Sequence, residues 1–260
     1  MVVAVTHAHD LEACGARGLH VADRVADHQR LGRVDAEEFG GMQQGRRIGL
    51  LLRQRITADD DGEVVGHAEV AQQINDRGIT LIKDERNQVP LAVPRDANVL
   101  YLSVLDYASG WREAIPSRTM IPELKKRWPN LTAIEVTDRT TASEHELIRA
   151  LARRADAVIA GVFVRIASYS GRMDLSQAQI ALLDTVAAQD KPFAAVCFGN
   201  PYTATFLPKL PAVLLGYEFS DFTERAAVKA IAGEIPIGGR LPIQLPGMFP
   251  IGHGLTRAAR

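Results

Sequence analysis

Ala157-Val158-Ile159-Ala160-Gly161-Val162-Phe163-Val164 is eight residues long, uncharged, and has β-branched residues in both phases of a two-residue repeat. Successive side chains of a strand point to opposite faces. A strand of this composition is therefore apolar on both faces and needs cover on both, the pattern of parallel sheets. Four further runs share its character: Val99–Leu105, Leu131–Val136, Phe193–Phe198 and Ala212–Tyr217. Ile79–Ile82 is a shorter strand before them. Leu102, Ile159, Val196 and Leu214 are expected to be buried.

Helical segments alternate with these runs. Val70 and Ile74 stand four apart and suit a short amphipathic helix ending at Gly78. Ile121, Leu124 and Trp128 mark a helix stopped by Pro129. Ser143 with Glu146 reads as a capping box before Leu147, Ile148 and Leu151. Asp174, three before Gln177, opens a helix whose apolar face holds Ile180, Leu183 and Ala187. Asp221, three before Glu224, opens another that Gly233 ends. Strand and helix in alternation predict an α/β fold, a three-layer α/β/α sandwich with a mainly parallel sheet. Pro90–Pro94 is a linker-like bend. The tail from Gly238 alternates apolar residues with prolines, so it is expected as an edge strand or an extended wrap.

Composition divides the chain. Residues 1–62 are rich in Arg, Asp, Gly and His, show no convincing core and read as a poorly structured extension or linker; residues 63–260 form the α/β domain. A net charge of −1 gives no electrostatic reason to expect nucleic acid or an anionic membrane. No apolar stretch approaches the ~20 residues of a membrane span. Met1–Val5 is too short for a signal peptide and has no basic region before it, so a soluble chain is expected. Cys14 and Cys197 have no CxxC companion, and Cys197 reads as a small buried hydrophobe.

No glycine-rich phosphate loop follows the first long strand, where the chain reads Asp106-Tyr107-Ala108-Ser109-Gly110-Trp111. That argues against a dinucleotide or nucleotide cofactor. Trp111 and Arg112 read as a packed loop aromatic and a surface arginine rather than a ligand rim. His7 and His9 resemble a metal pair but lack a rigid frame, and no metal is expected. The most site-like segment is Arg165-Ile166-Ala167-Ser168-Tyr169-Ser170-Gly171-Arg172, because ligands of open α/β sheets bind beyond the carboxyl ends of strands. Arg165, Ser168, Tyr169, Ser170 and Arg172 are the candidate residues, for a substrate or for an inter-domain contact. Glu218, Asp221 and Glu224 follow a strand end and could suggest acid/base work. Capping and dipole complementation by Asp221 and Glu224 are the preferred reading. Phe198-Gly199-Asn200-Pro201-Tyr202 reads as a sharp turn.

Several of these segments together resemble the C-terminal domain of glycoside hydrolase family 3. Ile79-Thr80-Leu81-Ile82-Lys83-Asp84 with Val89-Pro90-Leu91 is similar to its entry, and Phe198–Tyr202 to its strand-to-turn element. Gly233–Ile243 and Pro246–Leu255 resemble its closing signature. The resemblance runs from about residue 64 to 257. It implies hydrolysis of O-glycosyl bonds in carbohydrate metabolism, with the aspartate nucleophile of a retaining mechanism on an N-terminal barrel. The glucosidase branch draws its acid/base glutamate from a C-terminal-domain loop, and the matching loop, Arg165–Met173, has no Glu or Asp. The sequence therefore looks more like the β-N-acetylglucosaminidase branch, whose acid/base is a His–Asp pair in the barrel. A barrel needs roughly 200 residues, more than precede the resemblance, so it is expected as a partner supplied elsewhere and this domain as non-catalytic, without cofactor. A carbohydrate is the candidate ligand. Two other classes stand beside this one: a free-standing module binding a sugar or another polar small molecule through the Arg165–Arg172 loop, and a small hydrolase using Glu218 or Asp221.

Exposed, unpacked backbone is cut first by proteases. Limited proteolysis is expected to trim the N-terminal region and leave a resistant fragment starting between about residues 45 and 75, read by mass spectrometry. A resistant fragment that keeps Met1 contradicts the division.

Overall fold

The computed structural model describes residues 61–106, 115–165 and 175–260. The expectations for residues 1–60, including His7 and His9, lie outside the described residues, as do Trp111, Arg112, Ser168, Tyr169, Ser170, Arg172 and Asp174. The chain divides between Val64 and Val65, and the architecture below is that of the second unit, Val65–Arg260.

The elements, in order, are α1 (Asp61–Gly78), β1 (Thr80–Asp84), β2 (Val99–Leu105), α2 (Met120–Arg127), β3 (Thr132–Val136), α3 (Ala142–Arg154), β4 (Ala157–Val164), α4 (Gln177–Ala187), β5 (Phe193–Gly199), a 3-10 turn (Pro201–Phe206), β6 (Ala212–Gly216) and α5 (Asp221–Ala232). The six strands form one sheet in the order β1-β6-β5-β4-β2-β3. Strands β2 to β6 pair in parallel and β1 pairs antiparallel to β6. This is an α/β/α sandwich with a mostly parallel sheet. Its cause is visible in β4. Val158, Ala160, Val162 and Val164 join one core with residues of α3 and α4, whereas Ala157, Ile159 and Phe163 join the other with residues of α2 and α5. Leu102, Ile159, Val196 and Leu214 are fully buried. Gly161 is required by this packing, since a Cβ there would stand 2.3 Å from the Tyr101 hydroxyl.

Several local expectations are corrected. The edge strand β3 is buried only at Val136, so its run is not covered on both faces. Helix α1 ends at Gly78 as expected, but Val70 and Ile74 are 53% and 66% exposed. Its polar side faces α5 instead: Asp76 pairs with Lys229 at 2.8 Å and Gln72 accepts from Arg225 at 2.9 Å. The α3 capping box is Thr141 with Glu144, two residues before the expected Ser143 and Glu146, and Leu147 is exposed. The α4 box is Ser176 with Gln179, and the α5 cap is Ser220, not Asp221. Gly233 ends α5 in the left-handed region, φ 80°.

The tail forms no strand. It wraps the outer edge of β1 through an isolated bridge from Leu81 to Leu255, and a second bridge, Ile237 to Arg257, ties the tail to the segment after α5. Arg257 also reaches the buried carboxylate of Asp84 at 2.8 Å. The wrap closes an edge that would otherwise present unpaired backbone groups. Gly239 sits where a Cβ would meet the Ile79 carbonyl oxygen at 2.4 Å, whereas a Cβ on Gly238 meets nothing within 4 Å. Gly239→Ala is therefore expected to lower stability by about 1–3 kcal/mol through overpacking, and Gly238→Ala to leave it nearly unchanged. Thermal denaturation of the two variants side by side checks the tail's docking.

Candidate functional site

The strand order fixes where a ligand would sit. From β2 the chain moves outward to β3, returns past β2 to β4, and continues away through β5 and β6. The direction reverses between β2 and β4, which are hydrogen-bonded neighbours from Val99–Ala157 to Leu105–Phe163. In open α/β sheets ligands bind in the crevice outside the carboxyl ends of strands at such a switch point. The residues that leave these strand ends are Asp106 and Arg165.

Asp106 is buried. Its backbone N–H donates to the Phe163 carbonyl at 3.1 Å, and its Oδ2 accepts the Arg165 backbone N–H at 3.1 Å. Arg165 Nε lies 3.5 Å from Asp106 Oδ1, with the arginine side chain about a quarter exposed. The pair joins the two strands at their carboxyl ends and fixes the root of the Arg165 loop. Gln179 completes the floor. From the first turn of α4 its amide donates to the Leu105 carbonyl at 2.7 Å and reaches the Val136 carbonyl at 3.4 Å. Of the candidate residues, the structure places Arg165 at the switch point; Ser168, Tyr169, Ser170 and Arg172 lie outside the described residues. Asp106 was not singled out from the sequence. A carboxylate directly after a buried strand was the available signal, but its partner is 59 residues away.

The acidic residues after β6 occupy a different place. Glu224 is buried on α5 and serves the start of α2. Its Oε1 accepts the Ser117 N–H at 2.7 Å, and its Oε2 accepts the N–H groups of Thr119 and Met120 at 2.8 and 2.7 Å. Burial pushes its carboxyl above the ordinary range, and the three amides pull it back only in part. Asp221 accepts from the Thr119 hydroxyl at 2.9 Å and pairs with Arg118, and the hydrogen bond from Arg118 holds its carboxyl below the ordinary range. The two acids lie in the first turn of their own helix, as the sequence suggested, but their hydrogen bonds serve the start of α2. Glu218 accepts from the Ser220 hydroxyl at 3.4 Å.

Beyond β5, Gly199 has φ 77° and packs under Phe219, where a Cβ would meet the ring at 2.2 Å. Asn200 accepts the Tyr202 N–H at 3.1 Å, so the expected sharp turn opens a 3-10 turn. The Cys197 thiol is buried in β5 and pushed up to about 12. Among the described residues no group of His, Cys, Asp and Glu could hold a metal ion, and no helix is long and apolar enough to cross a membrane.

The fold and its reversal between β2 and β4 define a doubly wound α/β domain. Solved structures with this fold include several glycoside hydrolases of family 3. A fungal multi-domain β-N-acetylglucosaminidase of that family, with a GCN5-related glucosamine N-acetyltransferase region, is 24% identical over 87% of this chain and 26% of its own, with a TM-score of 0.58. A Paenibacillus family 3 β-N-acetylglucosaminidase is 21% identical over 86% of this chain and 42% of its own, TM-score 0.54. A Listeria innocua β-glucosidase solved with gluconolactone is 17% identical over 68% of this chain and 26% of its own, TM-score 0.53. At these identities the likeness speaks for the fold, and the chain spans less than half the length of each of the three. No family model matches the sequence, and no curated protein does.

Asp106→Ala removes the acceptor of the Arg165 amide and is expected to cost about 1–3 kcal/mol. Arg165→Ala leaves the backbone bond in place and is expected to cost less. Urea denaturation of both variants distinguishes a backbone anchor from a simple ion pair.

Proposed function

We propose that this chain is the C-terminal accessory domain of a family 3 glycoside hydrolase of the β-N-acetylglucosaminidase kind. On this reading it covers or supports the active site of a barrel that lies outside these 260 residues. The observation that carries it is the Arg165 loop. Its first residue, Arg165, follows the end of β4 at the switch point, on a fold shared with β-N-acetylglucosaminidases. From Arg165 to Met173 it offers two guanidinium groups and several hydroxyls but no carboxylate. Such groups can donate to and accept from sugar hydroxyls and an N-acetyl carbonyl. They cannot serve as the carboxylate pair of a retaining glycosidase. The occupied lone pairs of Glu224 and Asp221 argue the same way, because a carboxylate already accepting several bonds is not available to a substrate. The exposed Val70 and Ile74 on α1 suit a partner surface such as the barrel.

The test uses the purified chain. No release of the aryl group from aryl β-N-acetylglucosaminide is expected. Weak binding of N-acetylglucosamine, measured by calorimetry, is expected and should fall about tenfold in Arg172→Ala, the size of a lost charge-assisted hydrogen bond. Turnover that survives purification and disappears in Glu218→Ala or Asp221→Ala overturns the non-catalytic reading. Absence of any sugar affinity removes the sugar contact.

A further inference from the structure

The amino ends of the strands face away from the switch point. There Thr132 opens β3 on the same face as Ile134 and Val136, since alternate residues of a strand share a face. That face is the one α3 covers: Val136, Leu100 and Ala152 belong to one core, with Ile134 and Leu151 packed against it. The cover stops short. Beside the last turn of α3, at the start of β2 and β3, it leaves a cavity of about 270 Å³. Leu100 and Ala155 are buried in its wall, and Leu151 is half-buried. Asn98, Thr132 and Arg154 line it too, and all three are exposed. The cavity is thus apolar inside and polar at its mouth, the pattern of small-molecule sites. Strand β3 is the edge of the sheet, so no further strand closes that side.

The charges around the cavity favour an anion. Arg149, earlier on the same helix, pairs with Glu146 at 2.6 Å, but Arg154 has no ion-pair or hydrogen-bond partner among the described residues. The nearby carboxylate of Asp156 is turned to Asn98: its Oδ2 accepts the backbone N–H at 2.8 Å and the side-chain amide at 3.3 Å. The free carbonyls of a helix C-terminus repel an anion. Here Lys191 donates to the carbonyls of Arg153 and Ala155, so an ammonium covers that end of α3. Arg153, Arg154 and Lys191 thus outnumber Asp156. We propose that the cavity binds a small carboxylate with an apolar body, its head on the Arg154 guanidinium and the Thr132 hydroxyl and its body against Leu100, Leu151 and Ala155. The N–H fork of a guanidinium matches the geometry of a carboxylate. A water molecule takes about 30 Å³ of liquid, so a cavity of about 270 Å³ holds about nine heavy atoms, the size of benzoate. The site is independent of any sugar contact at the switch point.

Benzoate is the probe, titrated into the full chain and followed by backbone amide NMR shifts. Saturable shifts at Asn98, Leu100, Thr132, Leu151 and Ala155 are expected, with a Kd of about 1 mM or below, ordinary for a ligand of so few atoms. Arg154→Gln is expected to weaken binding about tenfold, the loss of a charge-assisted hydrogen bond. Arg153→Gln is the control: Arg153 is the exposed neighbour that does not line the cavity, and its variant is expected to keep the wild-type affinity. Both arginines are exposed at a helix end, so both variants are expected to keep the fold. Benzamide, the neutral analogue, is expected to bind about tenfold more weakly than benzoate. No saturable shift at these amides with benzoate raised to about 20 mM, shifts centred elsewhere, or equal loss in the two arginine variants each overturns the site. Benzamide binding as tightly as benzoate overturns the carboxylate head, and inorganic phosphate binding as tightly overturns the apolar body.

Discussion

A strand that is apolar on both faces has to be covered on both, and β2, β4, β5 and β6 are of this kind. Parallel neighbours cannot be joined by tight hairpins, so each connection between them must cross over one face. The cover and the crossover are then the same segment. Helices α3 and α4 fill one face while the chain travels from β3 to β5, and α2 and α5 fill the other. The face changes where the direction changes, between the β2-to-β3 step and the β3-to-β4 step. The switch point at the carboxyl ends of β2 and β4 is thus a consequence of burying both sides of one sheet. What the sheet cannot supply is closure at its edges. One edge is closed by the tail, whose Leu255 N–H donates to the Leu81 carbonyl at 2.7 Å. At the other, β3 carries Thr132 and Glu135 toward solvent, and polar and charged residues of this sort discourage pairing with another strand.

The strands were legible because the signal that makes them is local. Val99–Leu105 and Ala157–Val164 coincide with their apolar runs residue for residue. The helix starts were not, and the reason is in the sequence. Thr141-Ala142-Ser143-Glu144-His145-Glu146 contains two overlapping capping boxes, one from Thr141 to Glu144 and one from Ser143 to Glu146. Either satisfies the local chemistry. The earlier start is the one adopted, and it places His145, Ile148 and Ala152 on the buried face of α3. That choice depends on the packing of the sheet and is invisible in a window of six residues. The same holds for α1. Val70 and Ile74 have helical spacing and lie on a helix, but spacing does not say which face the domain will cover.

The site divides in the same way. The end of the apolar run before Arg165 was readable, and the structure places that residue where β4 ends. The site's anchors were not. Asp106 with Arg165 spans 59 residues, and Glu224 with Ser117 spans 107. No periodicity or motif links residues at such separations; only the strand order and the crossover of α5 above α2 bring them together. The acids after β6 show how a local rule can give the right class of role for the wrong partner. Asp221 and Glu224 do lie in the first turn of α5, but their hydrogen bonds go to the start of α2, to which neither belongs.

Glu224 also shows why burial and a displaced pKa do not by themselves mark a catalytic acid. It is a buried carboxyl, raised above its ordinary range, in a domain of a fold that hydrolytic enzymes share, and perturbed groups do cluster at active sites. A general acid, however, must present its proton to a substrate, and a nucleophile must present a lone pair. Glu224 turns both oxygens toward backbone amides that have no other helical acceptor, since the first N–H groups of a helix lack intrahelical partners. Moving the carboxylate to a substrate would strand three donors at once, those of Ser117 and Met120 buried, and each buried unsatisfied donor costs about 1–3 kcal/mol. Asp106 is committed in the same way, since its Oδ2 accepts the Arg165 N–H where β2 and β4 end.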